Sequence, residues 1–246
     1  MLLRVDELPA CRGLGAREPG TIGRVRPYVI ASAAVSLDGY IDDLADARLM
    51  LSDDEDLDRV DEVRAWADAI LVGAGTIRAD DPRLLVRSAE RRAARRATGR
   101  PASPAKVTLT RTGNIDPGAR FFTTGDTARY VYTCDAQAAV LRARLRSVAT
   151  VVGAGDPLDV ERMLADLAGR GVERLMVEGG GGVHTLFLTA GVVDELHVVY
   201  APFFVGQPRA PRFVGAGPFP QGPGNRMTLG KSRQIGDLMF LQYFPR

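Results

Sequence analysis

The sequence predicts an α/β protein with a mainly parallel central sheet, helices on both faces of the sheet and an antiparallel hairpin near the C-terminus. Three observations predict this class. Apolar segments of strand length alternate with helical segments along most of the chain. Two strand-to-helix junctions, at 68–87 and 174–188, carry glycines. The last two strand patterns are separated only by Ile235-Gly236-Asp237.

The N-terminal part of the chain predicts an irregular extension followed by a strand, a helix and a second strand. Residues 1–26 are rich in Gly, Arg and Pro, which predicts the irregular extension. We expect the remaining residues, 27–246, to form a single domain. Residues 27–36 are continuously apolar, which is typical of a strand buried on both faces. Ser52 is followed by acidic residues and predicts the start of a helix that ends near Trp66, before a strand at 68–72.

The remainder of the chain continues the alternation. Pro157 is interpreted as the first residue of a helix that ends near Gly169. The other helices are expected to begin at Ala136 and Val183. Strands are predicted at 106–110, 129–133, 150–152, 172–177, 193–201, 227–234 and 238–244.

Composition limits the classes of function. The chain has 246 residues and a formal net charge of +2, so no overall field favours nucleic acid or a membrane surface. No apolar run approaches the ~20 residues that a membrane helix needs. The two cysteines predict a reducing, cytoplasmic setting, and the two histidines are too far apart to suggest a metal site. A basic arm is interpreted as a solvated helix and loop, or as a rim that attracts anions; its members are Arg87, Arg91, Arg92, Arg95, Arg96, Arg100 and Lys106.

The two glycine-bearing junctions predict a nucleotide crevice. In the first, a strand leads into Gly73, Gly75 and Thr76; in the second, Glu178 ends a strand that is followed by residues 179–182, all glycine. Glycines allow close approach of a ligand to the backbone, and helix N-termini offer free N–H groups to phosphate. Such turns at the carboxyl ends of strands bind nucleotides, although either turn alone could be a plain connection.

The residues at the end of the strand at 106–110 indicate which cofactor binds. Thr110 and the two residues after it, Arg111 and Thr112, form a hydroxyl–guanidinium–hydroxyl cluster suited to a ribose 2′-phosphate. This cluster favours NADPH, and the alternative is a solvated turn. The usual dinucleotide fingerprint fits poorly, because Arg78 stands where its third glycine belongs.

Three segments resemble the reductase of riboflavin biosynthesis, a family with a dihydrofolate-reductase-like fold. They are VSLDGYI, DAILVGAGTIRADDPRLLVR, and LMVEGGGG followed by GVVDELHVVYAPFFVG. The resemblance extends from Tyr28 to Phe244. It implies NADPH-dependent reduction of a ribosylamino-pyrimidine 5′-phosphate to its ribityl form. The substrate would be 5-amino-6-(5-phosphoribosylamino)uracil or its 2,5-diamino-pyrimidinone precursor.

The resemblance also implies roles for single residues. Cofactor contacts are implied for Ala34, Met50, Thr76, Asp80, Gly180, Gly181, Gly182, Val183, His184, Thr185 and Leu186. Substrate contacts are implied for Arg48, Arg64, Leu84, Arg87 and Glu178, of which Glu178 is the candidate catalytic residue. Guanidinium groups bind phosphate through paired hydrogen bonds, and a carboxylate accepts from the N–H groups of a pyrimidine. The alternatives are that Arg64 pairs with Asp61 or Asp68, and that Arg87 belongs to the basic arm. A valine at Gly181 is expected to weaken cofactor binding without unfolding the protein.

The sequence departs from the family at two points. It lacks the His/Cys motif of the deaminase domain in long bacterial members, so we expect no deamination. Ser32 stands where those members have a lysine, which leaves water or the substrate phosphate as proton donor. Two other functions stay open: a reductase of another heterocycle, such as a pterin, and a non-catalytic NADP-binding module. The family and the apolar segment 193–205 favour a homodimer, with a buried internal strand as the alternative.

Overall fold

The computed structural model describes residues 26–45 and 47–246, so the extension predicted for 1–26 lies almost entirely outside the described residues. The strands are β1 Tyr28–Ser36, β2 Ala69–Gly73, β3 Ala105–Leu109, β4 Arg129–Thr133, β5 Thr150–Gly153, β6 Arg174–Gly179, β7 Glu195–Ala201, β8 Thr228–Ile235 and β9 Leu238–Phe244. The helices are α1 Asp54–Trp66, α2 Ala74–Asp80, α3 Ala89–Ala97, α4 Arg120–Thr123, α5 Asp135–Leu145, α6 Val160–Gly169 and α7 Gly181–Thr189.

All of these strands belong to one sheet, in the order β5-β4-β3-β2-β6-β1-β7-β9-β8. Strands β1 to β7 pair in parallel, and β9 is antiparallel to both β7 and β8. The predicted fold class is confirmed, including the antiparallel C-terminal hairpin. Because β2 and β6 are neighbours, the two glycine turns that follow them lie side by side at the carboxyl edge of the sheet.

The core is split by the sheet into two sides. On one side, Leu71 and Leu175 pack in a cluster with Met163 of α6 and Phe187 of α7. On the other side, Ile70 belongs to a cluster that includes residues of α2, α4 and α5. Burying a large apolar side chain contributes about 1.5–3 kcal/mol, so the continuous apolar strands are explained by cover on both faces.

Strand β7 lies inside the sheet, between β1 and β9, and most of its residues are buried. The apolar character of residues 195–201 is therefore explained by neighbours in the same chain, whereas Phe204 of the same segment is 73 % exposed. The homodimer stays a prediction.

Four helix starts differ from the prediction: α5 begins one residue before Ala136, α7 begins two residues before Val183, and at α1 and α6 an aspartate takes the capping role. Asp53, rather than Ser52, caps α1 by accepting from the N–H of Asp56 at 2.8 Å. Asp159 caps α6 by accepting from two N–H groups, so this helix begins at Val160 and Pro157 lies before it. A carboxylate at the N-cap satisfies N–H groups that the helix leaves free.

The basic arm is only partly a solvated surface. Arg95 is 4 % exposed and donates to the carbonyls of Ala65 and Ala67, which closes the C-terminal end of α1. Lys106 is fully buried, and its Nζ donates to the carbonyl oxygens of Phe121 and Thr124. Burial, with a smaller contribution from nearby Arg129, lowers the pKa of Lys106 to about 8. The interpretation of the arm as uniformly solvated is wrong for these two residues.

Candidate functional site

The turn after β6 forms a cradle at the start of α7. Gly179 and Gly180 have φ values of 127° and 85°, a region that favours glycine. The cradle borders a cavity of about 330 Å³ lined by Gly181, Gly182, Thr185, Ala210, Pro211, Arg212, Val214 and Gly215. The first N–H groups of a helix have no partner within it, so this cavity is suited to a phosphate.

The glycines of this turn differ in the space around them. A Cβ at Gly182 would meet nothing within 4 Å, so this residue faces open space. A Cβ at Gly181 would overlap the carbonyl oxygen of Arg212. The expectation that a valine at Gly181 would leave the fold intact is therefore not supported, because the position has no room for a side chain.

The turn after β2 packs against the turn after β6. A Cβ at Gly73 would lie 2.9 Å from Cγ2 of Val183, and one at Gly180 would lie 3.1 Å from Oγ1 of Thr76. Thr76 thus lies at the cradle, where the resemblance implies a cofactor contact. Gly73 has an ordinary φ of −73° and is required by packing between the turns.

The segment after α2 has a strained backbone. Asp81 and Leu84 have positive φ values of 42° and 49°, which for a leucine is an outlier that clusters at functional sites. Arg120 holds Asp81 through its backbone N–H at 2.6 Å and its Nε at 2.9 Å. Burial raises the pKa of Asp80, against the attraction of nearby Arg48.

Arg64 and Glu178 form a bidentate ion pair. Nε of Arg64 donates to Oε1 at 2.6 Å and its second terminal nitrogen donates to Oε2 at 2.5 Å. The side chains are 19 % and 12 % exposed. Burial opposes the charge of Arg64, but the Glu178 carboxylate outweighs it and raises the pKa of the guanidinium. The structure therefore pairs Arg64 with neither Asp61 nor Asp68, the partners weighed from the sequence.

The other substrate candidates have different surroundings. Leu84 is 3 % exposed and packs in the core, so only its main chain can face a ligand. Arg87 is exposed, and its guanidinium makes no hydrogen bond within the described part of the chain. Arg48 and Met50 are exposed in the loop before α1, and Met50 is 66 % exposed. Ala34, on β1, is partly buried against a cluster that includes Leu51 and Leu238.

The remaining candidates for cofactor contacts differ in whether their side chains are exposed or buried within the protein. Arg111 is exposed at the end of β3, beside β2, and stays a candidate for a 2′-phosphate. Thr110 is 5 % exposed, and its hydroxyl accepts from the N–H of Gly113 at 3.0 Å, which favours the turn alternative for this residue. His184 is 1 % exposed, burial lowers its pKa to about 4, and its Nδ1 has no partner among the described residues.

A buried polar network under α1 is absent from the sequence prediction. The sequence places His197 among apolar neighbours, but its Nε2 lies 2.5 Å from Glu195 and its Nδ1 lies 3.4 Å from Arg59. Tyr28 and Gln242 also bond to Glu195. Burial alone would raise the pKa of Glu195, but these partners lower it. The alternation of Glu195 and His197 on one face of β7 is the signal that could have indicated this network.

Two kinds of feature are absent from the described residues. Within residues 26–45 and 47–246, no group of three or more His, Cys, Asp or Glu side chains could hold a metal ion. No helix in the same part of the chain is long and apolar enough to cross a membrane.

A mainly parallel sheet with a glycine cradle, a strained acidic segment and a partly buried Arg–Glu pair near its carboxyl edge is the arrangement of an α/β enzyme. More specifically, residues 27–241 match the model of the RibD C-terminal domain, and the chain belongs to this family. The resemblance stated from the sequence is confirmed.

Two relatives carry the name 2,5-diamino-6-ribosylamino-4(3H)-pyrimidinone 5′-phosphate reductase. The protein from Archaeoglobus fulgidus is 39 % identical over 184 residues, which cover 74 % of this chain and 83 % of the relative. The protein from Methanothermobacter thermautotrophicus is 38 % identical over 223 residues, or 89 % and 98 % of the two chains.

Solved structures confirm the fold. A pyrimidine reductase-like protein from Corynebacterium diphtheriae superposes with a TM-score of 0.75 at 24 % identity, covering 89 % of this chain and 92 % of that one. RibD from Acinetobacter baumannii superposes with a TM-score of 0.73 at 23 % identity, covering 90 % of this chain and 59 % of that one.

Proposed function

We propose that this chain is an NADPH-dependent reductase that converts 2,5-diamino-6-ribosylamino-4(3H)-pyrimidinone 5′-phosphate to its ribityl form in riboflavin biosynthesis. The observation that carries the proposal is the Arg64–Glu178 pair directly before the glycine cradle, in a chain similar over most of its length to reductases of this name. Because Glu178 adjoins the cradle in sequence, a heterocycle held by Glu178 would lie next to the cofactor.

The cradle fits the phosphates of the proposed cofactor. Room for a ligand is present at Gly182, and the helix N-terminus supplies N–H groups. Thr76 and Asp80 would contact NADPH from the first turn, and Arg111 would hold its 2′-phosphate. When bound, this cofactor supplies a hydride, and the protein supplies orientation.

Glu178 and Arg64 would orient the heterocycle. Each carboxylate oxygen has two lone pairs, so Glu178 can accept from the pyrimidine while Arg64 holds both of its oxygens. The bidentate geometry fixes the plane of the carboxylate. The hydride acceptor would be C1′ of the ring-opened ribose imine, and the imine nitrogen would take a proton from water or from the substrate phosphate, because Ser32 has no ammonium group.

An NADPH-oxidation assay tests the proposal. We expect turnover with the diaminopyrimidinone 5′-phosphate, with a higher kcat/KM for NADPH than for NADH. Turnover of the deaminated uracil alone, or of a pterin alone, would replace the substrate proposed. Cofactor binding without turnover of any of these compounds would favour a non-catalytic module.

Arg87 is proposed to bind the substrate phosphate. Replacing Arg87 by Ala should raise the KM for the phosphorylated substrate roughly tenfold to a hundredfold, because a charge-assisted contact is lost. NADPH affinity should be unchanged. Arg83→Ala is the matched control, since Arg83 is an exposed arginine of the same segment. An equal loss for the dephosphorylated substrate would show that Arg87 does not bind the phosphate.

The family also favours a homodimer. Sedimentation equilibrium at micromolar concentration should give twice the mass of one chain. A monomer under these conditions would contradict this part of the proposal.

A further inference from the structure

The segment that carries Arg87 has no regular structure, so its main-chain polar groups need partners elsewhere. Residues 81–88 belong to no helix or strand. Asp61 of α1 accepts from the N–H of Arg87 at 2.5 Å and from the N–H of Ser88 at 3.0 Å. The hydroxyl of Ser103 accepts from the N–H of Val86 at 3.1 Å. The N–H groups of residues 86–88 are thus held by side chains.

Carbonyl groups of the same segment accept from arginine side chains, one of which, Arg64 of α1, donates to the carbonyl of Leu85 at 3.4 Å. Arg92 donates to the carbonyls of Val86 at 3.0 Å and of Arg87 at 2.5 Å. The main chain of Arg87 is therefore fixed through its N–H and its carbonyl, whereas its guanidinium is free of hydrogen bonds to the described residues. The backbone of Arg87 is thus preorganised, and its charged group is available to a ligand.

Asp61 connects this segment to the part of the site that holds the Arg64–Glu178 pair. It is 2 % exposed and lies three residues before Arg64, so both side chains leave the same face of α1. Asp61 fixes the main chain of Arg87, while Arg64 fixes the carboxylate of Glu178. One rigid helix therefore determines where both groups lie.

We propose that Asp61 is a positioning residue that holds Arg87, so that α1 sets the separation between the sites for the phosphate and for the heterocycle of the substrate. The inference rests on the proposed function, in which Arg87 and Glu178 bind these two ends. Asp61 acts through the main chain of Arg87. A displacement of that chain would move the Arg87 guanidinium away from the substrate phosphate and weaken this contact, which raises the KM for the phosphorylated substrate.

Asp61→Asn tests the inference, because an amide nitrogen replaces one accepting oxygen, so the side chain can no longer hold the N–H groups of both Arg87 and Ser88. We expect the KM for the phosphorylated substrate to rise roughly tenfold. The KM for the dephosphorylated substrate and the Kd for NADPH should stay unchanged. In an Arg87→Ala background, Asp61→Asn should have no further effect on KM, because both changes remove the same interaction.

Asp58→Asn is the matched control. Asp58 pairs with Arg91, as Asp61 does, but bonds to no main-chain group of residues 86–88. Its replacement should leave both KM values within about twofold. If Asp61→Asn does not fold, Asp61→Glu keeps the charge opposite Arg91 while displacing the carboxylate, and should show the same selective loss.

The outcomes separate the inference from the proposed function. Equal losses for the two substrates, or additive effects of Asp61→Asn and Arg87→Ala, would overturn the positioning role. If Arg87→Ala raises the KM for the phosphorylated substrate no more than the KM for the dephosphorylated one, the proposed phosphate site is wrong, whatever Asp61 does.

Discussion

The two glycine turns at the carboxyl edge of the sheet look alike in the sequence and differ in the structure. At the first turn, Gly73 has an ordinary φ and touches Val183 of the second turn. At the second, Gly180 has a positive φ and Gly182 faces open space. Glycine is required by packing at the first turn, and by backbone conformation and room for a ligand at the second.

This difference shows what a strand–glycine–helix pattern can establish. The pattern predicts that a strand ends and that the chain turns tightly into a helix, which both regions do. Only the surroundings, such as the cavity of about 330 Å³ beside the second turn, distinguish a ligand cradle from a packed junction.

Gly181→Ala should have the largest effect. Its Cβ would overlap the carbonyl oxygen of Arg212, so the loop at 210–215 must shift. We expect the free energy of unfolding, measured by urea denaturation, to fall by about 3 kcal/mol. A variant as stable as the unaltered protein would show that the loop does not lie against this turn.

Gly182→Val should affect binding rather than folding. The side chain would enter open space and keep phosphate away from the helix N-terminus. We expect the Kd for NADPH to rise roughly tenfold to a hundredfold, or ~1.4–2.7 kcal/mol. Fluorescence titration measures this Kd. A folded variant with an unchanged Kd would contradict the phosphate role of this turn.

His184 should make the second turn sensitive to acid. Burial lowers its pKa from 6.5 to about 4, so between these values the unfolded chain binds a proton that the folded protein does not. The contribution of neutral His184 to the free energy of unfolding is therefore fully present above pH 6.5. Below pH 6.5 this contribution falls by up to about 1.4 kcal/mol per pH unit.

Urea denaturation at pH 7 and pH 5 checks this prediction against His184→Asn. The stability advantage of the unaltered protein over the variant should shrink by roughly 2 kcal/mol at the lower pH. Because other groups titrate equally in both proteins, an advantage that is the same at both values would show that His184 is not responsible.

Gly73→Ala should have the smallest of these effects. Its Cβ would lie 2.9 Å from Val183, so we expect a loss of about 1–2 kcal/mol in stability and an unchanged Kd for NADPH. Val183→Ala should relieve this loss in the double variant. Gly75→Ala is the control, because its Cβ would meet only the end of Arg78 at 3.8 Å. If Gly73→Ala reduced the favourable free energy of NADPH binding by more than the free energy of unfolding, we would conclude that the first turn binds the ligand as well.

Most of the fold could be predicted from the sequence because buried parallel strands consist of continuous apolar residues. The bounds of β4 and β9 agree with the prediction, and β1 differs by one residue. Helix starts were less accurate, since Asp53 and Asp159 took capping roles that adjacent residues could also have filled.

The site was predictable as a set of residue types but not as a set of contacts. Arg64 and Glu178 are 114 positions apart, and their pairing depends on how α1 packs on the sheet. Arg95 and Lys106 look solvated in the sequence, yet both are buried because distant carbonyl groups accept their hydrogen bonds. Polar residues with non-local partners carry no local signal of burial.

The position of β9 has a consequence for how this protein is made. Residues 238–244 are synthesised after both β7 and β8, yet they lie between these two strands in the sheet. Until they leave the ribosome, β7 has an uncovered edge of apolar residues, and an exposed edge of this kind pairs readily with other chains. Each copy therefore passes through a stage at which the edge of β7 lacks the strand that covers it in the finished fold.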